Sequence, residues 1–159
     1  MVLPASARRV AEAAREIGLE IEVQEFPEGT RTAEDAARAI GVEVAQIVKS
    51  LVFTADGEPL ICLVSGVNRL DTARLAEATG AAKIKRADAD TVREATGYAV
   101  GGVPPFGHAR HLAVYCDRDL LAYDVVWAAA GTPTAVFSAD PKRLTEVTGA
   151  QVVDLKEIS

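Results

Sequence analysis

Val44-Ala45-Gln46-Ile47-Val48-Lys49-Ser50-Leu51-Val52-Phe53-Thr54, a turn at Asp56-Gly57, and then Leu60-Ile61-Cys62-Leu63-Val64-Ser65 form the stretch that decides the fold. The first part reads as a short helical turn running into a strand, and the Asp-Gly pair folds a second strand back on it as a hairpin. Both strands are nearly continuous in Val, Leu, Ile and Phe, the pattern of strands covered on two faces, so the hairpin belongs at the centre of a sheet. Lys49 interrupts that pattern. A lysine entering a buried strand bears a desolvation cost unless its ammonium reaches a cleft or an acidic partner; the other reading is a side chain that snorkels out at the strand's start.

Outward from the hairpin, the elements follow from local signals. Ala7, Val10, Ala11, Ala14 and Ile17 recur at helical spacing over residues 6–17, with Ser6 placed to cap and Gly18 to stop. Leu19, Ile21, Val23 and Phe26 alternate with glutamates over 19–26, a strand with one wet face. Thr32, with Asp35 three residues on, caps a helix over 33–40 that Gly41 ends. Asp71 caps a helix over 72–79, Asp88 starts another through residue 95, and Lys83-Ile84-Lys85 is a short strand between them. Residues 112–116 are a buried strand, 125–129 and 134–137 a hairpin around Gly131-Thr132-Pro133, and 151–154 a last strand. Between the latter two a helix begins at Pro141, with Ser138 or Asp140 as its cap and Gly149 beyond its end. Helices and strands are interspersed but several strand connections are tight, which predicts an α/β (α+β) chain, residues 1–159 as a single domain, with a mixed sheet flanked by helices.

Composition narrows the function classes. With 159 residues and 49% apolar content the chain can bury a core without staples. Cys62 and Cys116 each lie in apolar runs, and neither they nor His108 and His111 have zinc-ligand spacing, so neither a metal nor another cofactor is expected. The start lacks a charged segment followed by an apolar one, and no apolar run has membrane-spanning length, so a soluble, cytoplasmic protein with no membrane partner is expected. The net charge of −6 argues against DNA or any long nucleic acid as a non-specific partner. Lys83, Lys85, Arg86, Arg93, His108, Arg110 and His111 nevertheless make the middle of the chain more basic than its ends, either as a solvated face or as a local patch.

Thr96-Gly97-Tyr98-Ala99-Val100-Gly101-Gly102-Val103-Pro104-Pro105-Phe106-Gly107-His108 is neither helix nor strand. Its glycines permit positive φ or close approach, and its adjacent prolines fix φ and remove donors, so it reads as a rigid loop. It serves either as a tight connection or as a cradle whose bare amides converge on an oxygen. The aromatic ring and imidazole at its end favour the second.

These segments together resemble one family. Thr32-Ala33-Glu34-Asp35-Ala36-Ala37 with Gly41-Val42, Gln46 through Phe53, Gly66 with Arg69, Thr96-Gly97-Tyr98 with Gly101 to Gly107, and Ala130-Gly131 are similar to the YbaK/ProX group of editing domains, over residues 5–155. Members of that group hydrolyse mischarged aminoacyl-tRNAs, either free-standing or inserted in prolyl-tRNA synthetases. The resemblance implies a curved, mixed-sheet fold, Lys49 as the functional lysine, and Gly101 to Pro105 as the Gly-x-x-x-Pro substrate loop. It further sets Thr32, Ser50, Tyr98, Gly102, Val103, Pro104, Phe106, Gly107, His108 and Gly131 as substrate-binding positions. The implied partners are the 3′ end of a mischarged tRNA, in the first place tRNA-Pro carrying a small amino acid, and a prolyl-tRNA synthetase or an elongation factor.

The chemistry is compatible with these residues on its own terms. An aminoacyl ester is already activated, so an oxyanion stabiliser and a positioned water or hydroxyl suffice. Lys49 can hold the ester carbonyl or a terminal phosphate, and amides of Gly101, Gly102 or Val103 can cradle developing charge. Phe106 can shape the pocket or stack on the terminal adenine, His108 can orient water, and Asp124 and Thr132 can line a far wall. Ser50 and Ser65 lack the setting of an activated nucleophile, which leaves metal-free, substrate-assisted hydrolysis as the expected mechanism. Two rivals stand beside it: a non-catalytic module of the same fold that binds a small ligand or a synthetase, and a hydrolase for another small acyl ester.

Overall fold

The computed structural model describes residues 3–27, 30 and 32–158. Its order is α1 (Ala5–Glu16), β1 (Gln24–Glu25), α2 (Ala33–Ile40), β2 (Val48–Ala55), β3 (Glu58–Ser65), α3 (Thr72–Thr79), β4 (Ile84–Arg86) and α4 (Ala89–Thr96). There follow β5 (Ala113–Asp117), β6 (Val126–Ala129), β7 (Ala135–Ala139), α5 (Pro141–Thr148) and β8 (Gln151–Val153). Single 3-10 turns at Val44–Gln46 and Arg118–Ala122 lead into β2 and out of β5.

The central hairpin forms as its sequence demands. β2 and β3 pair antiparallel from Val48↔Ser65 to Ala55↔Glu58, with positive φ at both Asp56 and Gly57 in the two-residue turn. Around them a five-stranded sheet runs β4-β2-β3-β5-β8, parallel from β3 outward, and a three-stranded antiparallel sheet runs β1-β7-β6. A bridge between Ile47 and Trp127 joins the two, so the mixed sheet bends from one piece into the other.

Alternation along β2 and β3 sorts side chains onto two faces. Val48, Val52, Ile61 and Leu63 enter the larger core, which holds α1 through Ala7, Val10 and Ala14, α4 through Val92 and α5 through Leu144. Phe53, Cys62 and Val64 enter a smaller core beneath Leu75 of α3. Both hairpin strands are therefore covered on two sides.

The capped helices begin where local chemistry places them. Thr32 Oγ1 accepts the Asp35 amide at 3.0 Å, and Asp71, Asp88 and Asp140 accept first-turn amides of α3, α4 and α5. Two expectations need correction. Ser6 is not a cap: α1 starts one residue earlier, behind Pro4, without a side-chain cap bond. The strand expected over 19–26 shortens to Gln24–Glu25, the residues that pair with Val136 and Ala135 of β7; beyond them the Phe26 amide still donates to Thr134 O at 2.8 Å, while residues 19–23 have no strand partner among the described residues. Leu19, Ile21 and Val23 still turn onto the larger core, so the apolar alternation reports burial without a ladder.

Candidate active site

β4 pairs only with Phe53, Thr54 and Ala55, and the earlier half of β2 has an edge that no strand of that sheet covers. The carbonyl of Val52 accepts the Ala87 amide at 3.1 Å on this edge, while that of Ile47 accepts the Gly66 amide on the β3 side. The two-residue period then directs the N–H and C=O of Ser50 to the open edge. A cavity of about 420 Å³ occupies the gap. Its walls are β2, the start of α2, the Arg86-Ala87 end of β4, the β6–β7 hairpin and the loop at Val100, Gly101 and Val103.

Lys49 and Ser50 project from opposite faces of β2, yet both line this cavity because it wraps the strand's edge. The Lys49 ammonium donates to the backbone carbonyl of Asn68, in the turn after β3. Burial lowers the lysine below its ordinary 10.5; Glu34 and Asp117 oppose that shift, and Arg86 and Arg69 add to it. Ser50 Oγ is buried without a hydrogen-bond partner among the described residues, and its strand lines the cavity wall. A buried hydroxyl free of internal partners can hydrogen-bond a polar group that enters the cavity.

The Gly/Pro loop divides into a lining part and a supporting part. Gly101 and Val103 line the cavity, whereas the Gly102 amide donates to Ala99 O at 3.0 Å and its carbonyl accepts the Gly131 amide at 2.9 Å. Gly102 thus has no donor left for an oxyanion, and Gly101 and Val103 remain the loop's candidates. The Gly102–Gly131 junction explains both glycines. A Cβ on Gly102 would stand 2.8 Å from Gly131 O, and one on Gly131, at φ +97°, would stand 2.6 Å from Ser6 O. Gly131 is therefore where the β6–β7 turn, the loop and the start of α1 meet, not a cavity residue.

The other loop residues are likewise support. Phe106 is 5% exposed and tilts against Phe137 with ring centroids 5.6 Å apart, inside the larger core. This position is incompatible with stacking on a terminal base. Pro104 and Pro105 are buried, a Cβ on Gly107 would stand 2.6 Å from the Cβ of Ala13, and Tyr98 is buried beneath the Arg9 guanidinium, 4.7 Å from the ring centroid. His108 Nε2 donates to Pro104 O at 2.7 Å, closing the loop on itself, and burial holds the imidazole below its ordinary 6.5 against that bond. None of these side chains lines the cavity, and neither do Asp124 and Thr132.

Of the positions anticipated from sequence, the cavity gathers Lys49, Ser50, Thr32, Gly101 and Val103. It adds Thr30, Glu34, Arg86 and Trp127, which sequence reasoning left out. Arg86 stood within the basic stretch and Trp127 is the chain's one tryptophan, but nothing local aims either at Lys49. Cys62 and Cys116 are buried free thiols that burial pushes up to about 12, far from a reactive thiolate. Among the described residues no three His, Cys, Asp or Glu side chains converge as metal ligands, and no helix is long and apolar enough to cross a membrane.

Comparison with known proteins places this arrangement. Residues 27–147 match the aminoacyl-tRNA editing domain family. The chain belongs to that family. As an editing domain it is similar over 99% of its length, with a TM-score of 0.94 and 51% identity, to a solved structure described as "a putative trans-editing enzyme for prolyl tRNA synthetase", all of which is covered. It is 34% identical to the Bacillus subtilis protein YwhH, across 84% of the editing domain and 85% of that protein. It is also 32% identical to a proline–tRNA ligase of Citrifermentans bemidjiense, across 82% of the editing domain but only 22% of the ligase.

Proposed function

We propose that this chain deacylates mischarged aminoacyl-tRNA, cleaving the ester between a small amino acid and the terminal ribose of tRNA-Pro. The observation that carries the reading is the shared cavity: the Lys49 ammonium, the open-edge backbone of Ser50 and the loop at Gly101 and Val103 all border one space of about 420 Å³. In this reading the ammonium and a loop amide hold the ester carbonyl oxygen as it gains charge, and a water held against the substrate's own ribose hydroxyl attacks the carbonyl carbon, its proton passing to the departing ribose oxygen. Tetrahedral collapse then breaks the bond to the ribose oxygen, which leaves protonated, and the free amino acid departs. No metal is assigned a step.

Part of the wall is made of short apolar side chains, among them Val48, Val52, Val103, Ala128 and Ala129, and in this reading that part selects the acyl group by size. A synthetase discriminates one methylene by only about 1 to 3 kcal/mol, and a second site that admits the smaller acyl group is the general remedy. The likeness to a prolyl-tRNA synthetase trans-editing structure and to a proline–tRNA ligase supports tRNA-Pro as the substrate and a prolyl-tRNA synthetase as the partner that hands it over. The net charge of −6 fits a domain that borrows tRNA affinity from such a partner or an elongation factor.

A panel of tRNAs charged with alanine, cysteine, serine, threonine or proline tests the reading. Release of a small amino acid from tRNA-Pro is expected to exceed release of proline by at least tenfold. Absence of turnover across the panel would leave a binding module, and equal cleavage of simple esters would leave a general esterase. Ser50→Ala gives a narrower expectation. Since Ser50 Oγ has no partner among the described residues to lose, the variant is expected to keep its thermal midpoint, while KM for the aminoacyl-tRNA rises several-fold as a hydroxyl that in this reading meets the substrate disappears.

A further inference from the structure

Asp117, the last residue of β5, is a fully buried carboxylate remote from solvent. Such a group is costly to bury, and the structure surrounds it with donors. Its Oδ2 accepts the Ser65 amide at 3.0 Å and the Asn68 side-chain amide at 2.8 Å, and its Oδ1 accepts the Asp119 amide at 3.0 Å. Ser65 and Asn68 are the two ends of the tight turn that follows β3, closed by the Asn68 amide on Ser65 O at 2.9 Å. Asn68 is the chain's only asparagine. Its second side-chain hydrogen goes to Asp119 Oδ2, also at 2.8 Å, and that carboxylate in turn meets Lys156 at 3.1 Å. One carboxylate therefore grips both ends of a turn whose backbone carbonyl, on Asn68, is the acceptor for the Lys49 ammonium.

We propose that Asp117, acting through Asn68, is a positioning residue: it fixes the turn that holds the Lys49 ammonium at the cavity wall. The chain of contacts is continuous: a hydrogen bond joins the carboxylate to the Asn68 side-chain amide, the covalent frame of Asn68 joins that amide to its backbone carbonyl, and a second hydrogen bond joins the carbonyl to the ammonium. Without the grip at Asn68 the acceptor carbonyl is free to swing, and the half-buried lysine loses its fixed place. Misplacement by about 1 Å costs on the order of 10²-fold in a positioned reaction. Asp117 also acts by its charge. The charged groups facing Lys49 are Glu34 from α2, Asp117 from β5, Arg86 from β4 and Arg69, the residue after the turn; the first two favour the ammonium and the last two oppose it. Neutralising Asp117 removes one of the two carboxylates that counter burial.

This inference rests on the reading of Lys49 as the ammonium that meets the substrate, and the experiment separates the two. Lys49→Ala, Asn68→Ala and Asp117→Asn are compared with the parent in single-turnover deacylation of alanyl- and cysteinyl-tRNA-Pro across pH, with thermal melts alongside. Asn68 is half-buried and truncates without disturbing the core, so Asn68→Ala is expected to stay folded, lose at least tenfold in kcat and keep KM within about twofold. Asp117→Asn is expected to lose kcat too and to move the alkaline fall in rate to lower pH, a change that partial unfolding would not cause. If Lys49→Ala abolishes turnover while the other two variants keep the parent's kcat and alkaline limb, the positioning role is overturned and the lysine's role stands. Losses in Asn68→Ala and Asp117→Asn that match their unfolded fractions, with the alkaline limb unmoved, also overturn it. Undiminished turnover in Lys49→Ala defeats the reading of the site itself.

Discussion

Lys49→Ala is expected to slow deacylation by about 10²- to 10³-fold, the usual effect of removing one oxyanion donor, and to leave the fold intact. The stability side follows from where the group sits. Its ammonium is partly desolvated on the cavity wall, with a backbone carbonyl as its hydrogen-bond partner, so truncation to alanine removes a strained solvation state along with one contact. The pH dependence has a definite sign. In the proposed mechanism the protonated form is the donor, so the rate is full below the folded-state pKa and falls as pH rises through it. Because burial, the largest influence, holds that pKa below 10.5, the alkaline fall comes earlier than a free lysine would give. Lys49→Arg keeps a cation but replaces a compact point charge with a wide planar fork, and recovers little of the rate in a cavity of this size. Deacylation followed from pH 6 to 10, parent against both variants, checks all three statements; a wild-type rate in Lys49→Ala defeats the mechanism.

Phe106→Ala is expected to destabilise the chain by about 3 to 5 kcal/mol, the range for emptying a buried phenylalanine site. The ring is 5% exposed, it packs against Phe137, which is fully buried, and it belongs to the larger core that also draws on α1, β2, β5 and β7. At about 2 to 4 °C per kcal/mol for a chain of this size, the thermal midpoint falls on the order of 10 °C. Residual folded protein is expected to retain its KM, since the ring does not border the cavity. The opposite result, an unchanged midpoint with a raised KM, would return Phe106 to the substrate.

The contrast between these two residues shows what was legible in the chain. Lys49 stands out by itself, as one cation in a run of buried-strand residues, and Thr32, Asp71, Asp88 and Asp140 mark their helices through contacts within three residues. Such signals are local and survive without a tertiary frame. Phe106 carried no local sign of which way it would turn: a ring after two prolines is equally a platform or an anchor, and only Phe137, 31 positions on, decides it. The same holds for Gly102 and Gly131, whose shared need is a backbone junction between distant segments, and for β1, where only the last residues of the alternating stretch reach a neighbouring chain segment. The walls that Arg86, Thr30 and Trp127 supply are products of folding, and no spacing along the chain encodes their meeting with Lys49.

The gap in pairing along β2 has an evolutionary corollary. Contacts made by peptide groups survive almost any replacement of the side chains they carry, so in the proposed reaction an ester held by the backbone at Ser50 and the glycine loop would keep that hold while the valines and alanines around it drift. A scaffold of this kind can trade one rejected amino acid for another by resizing its walls, with the chemical step left untouched.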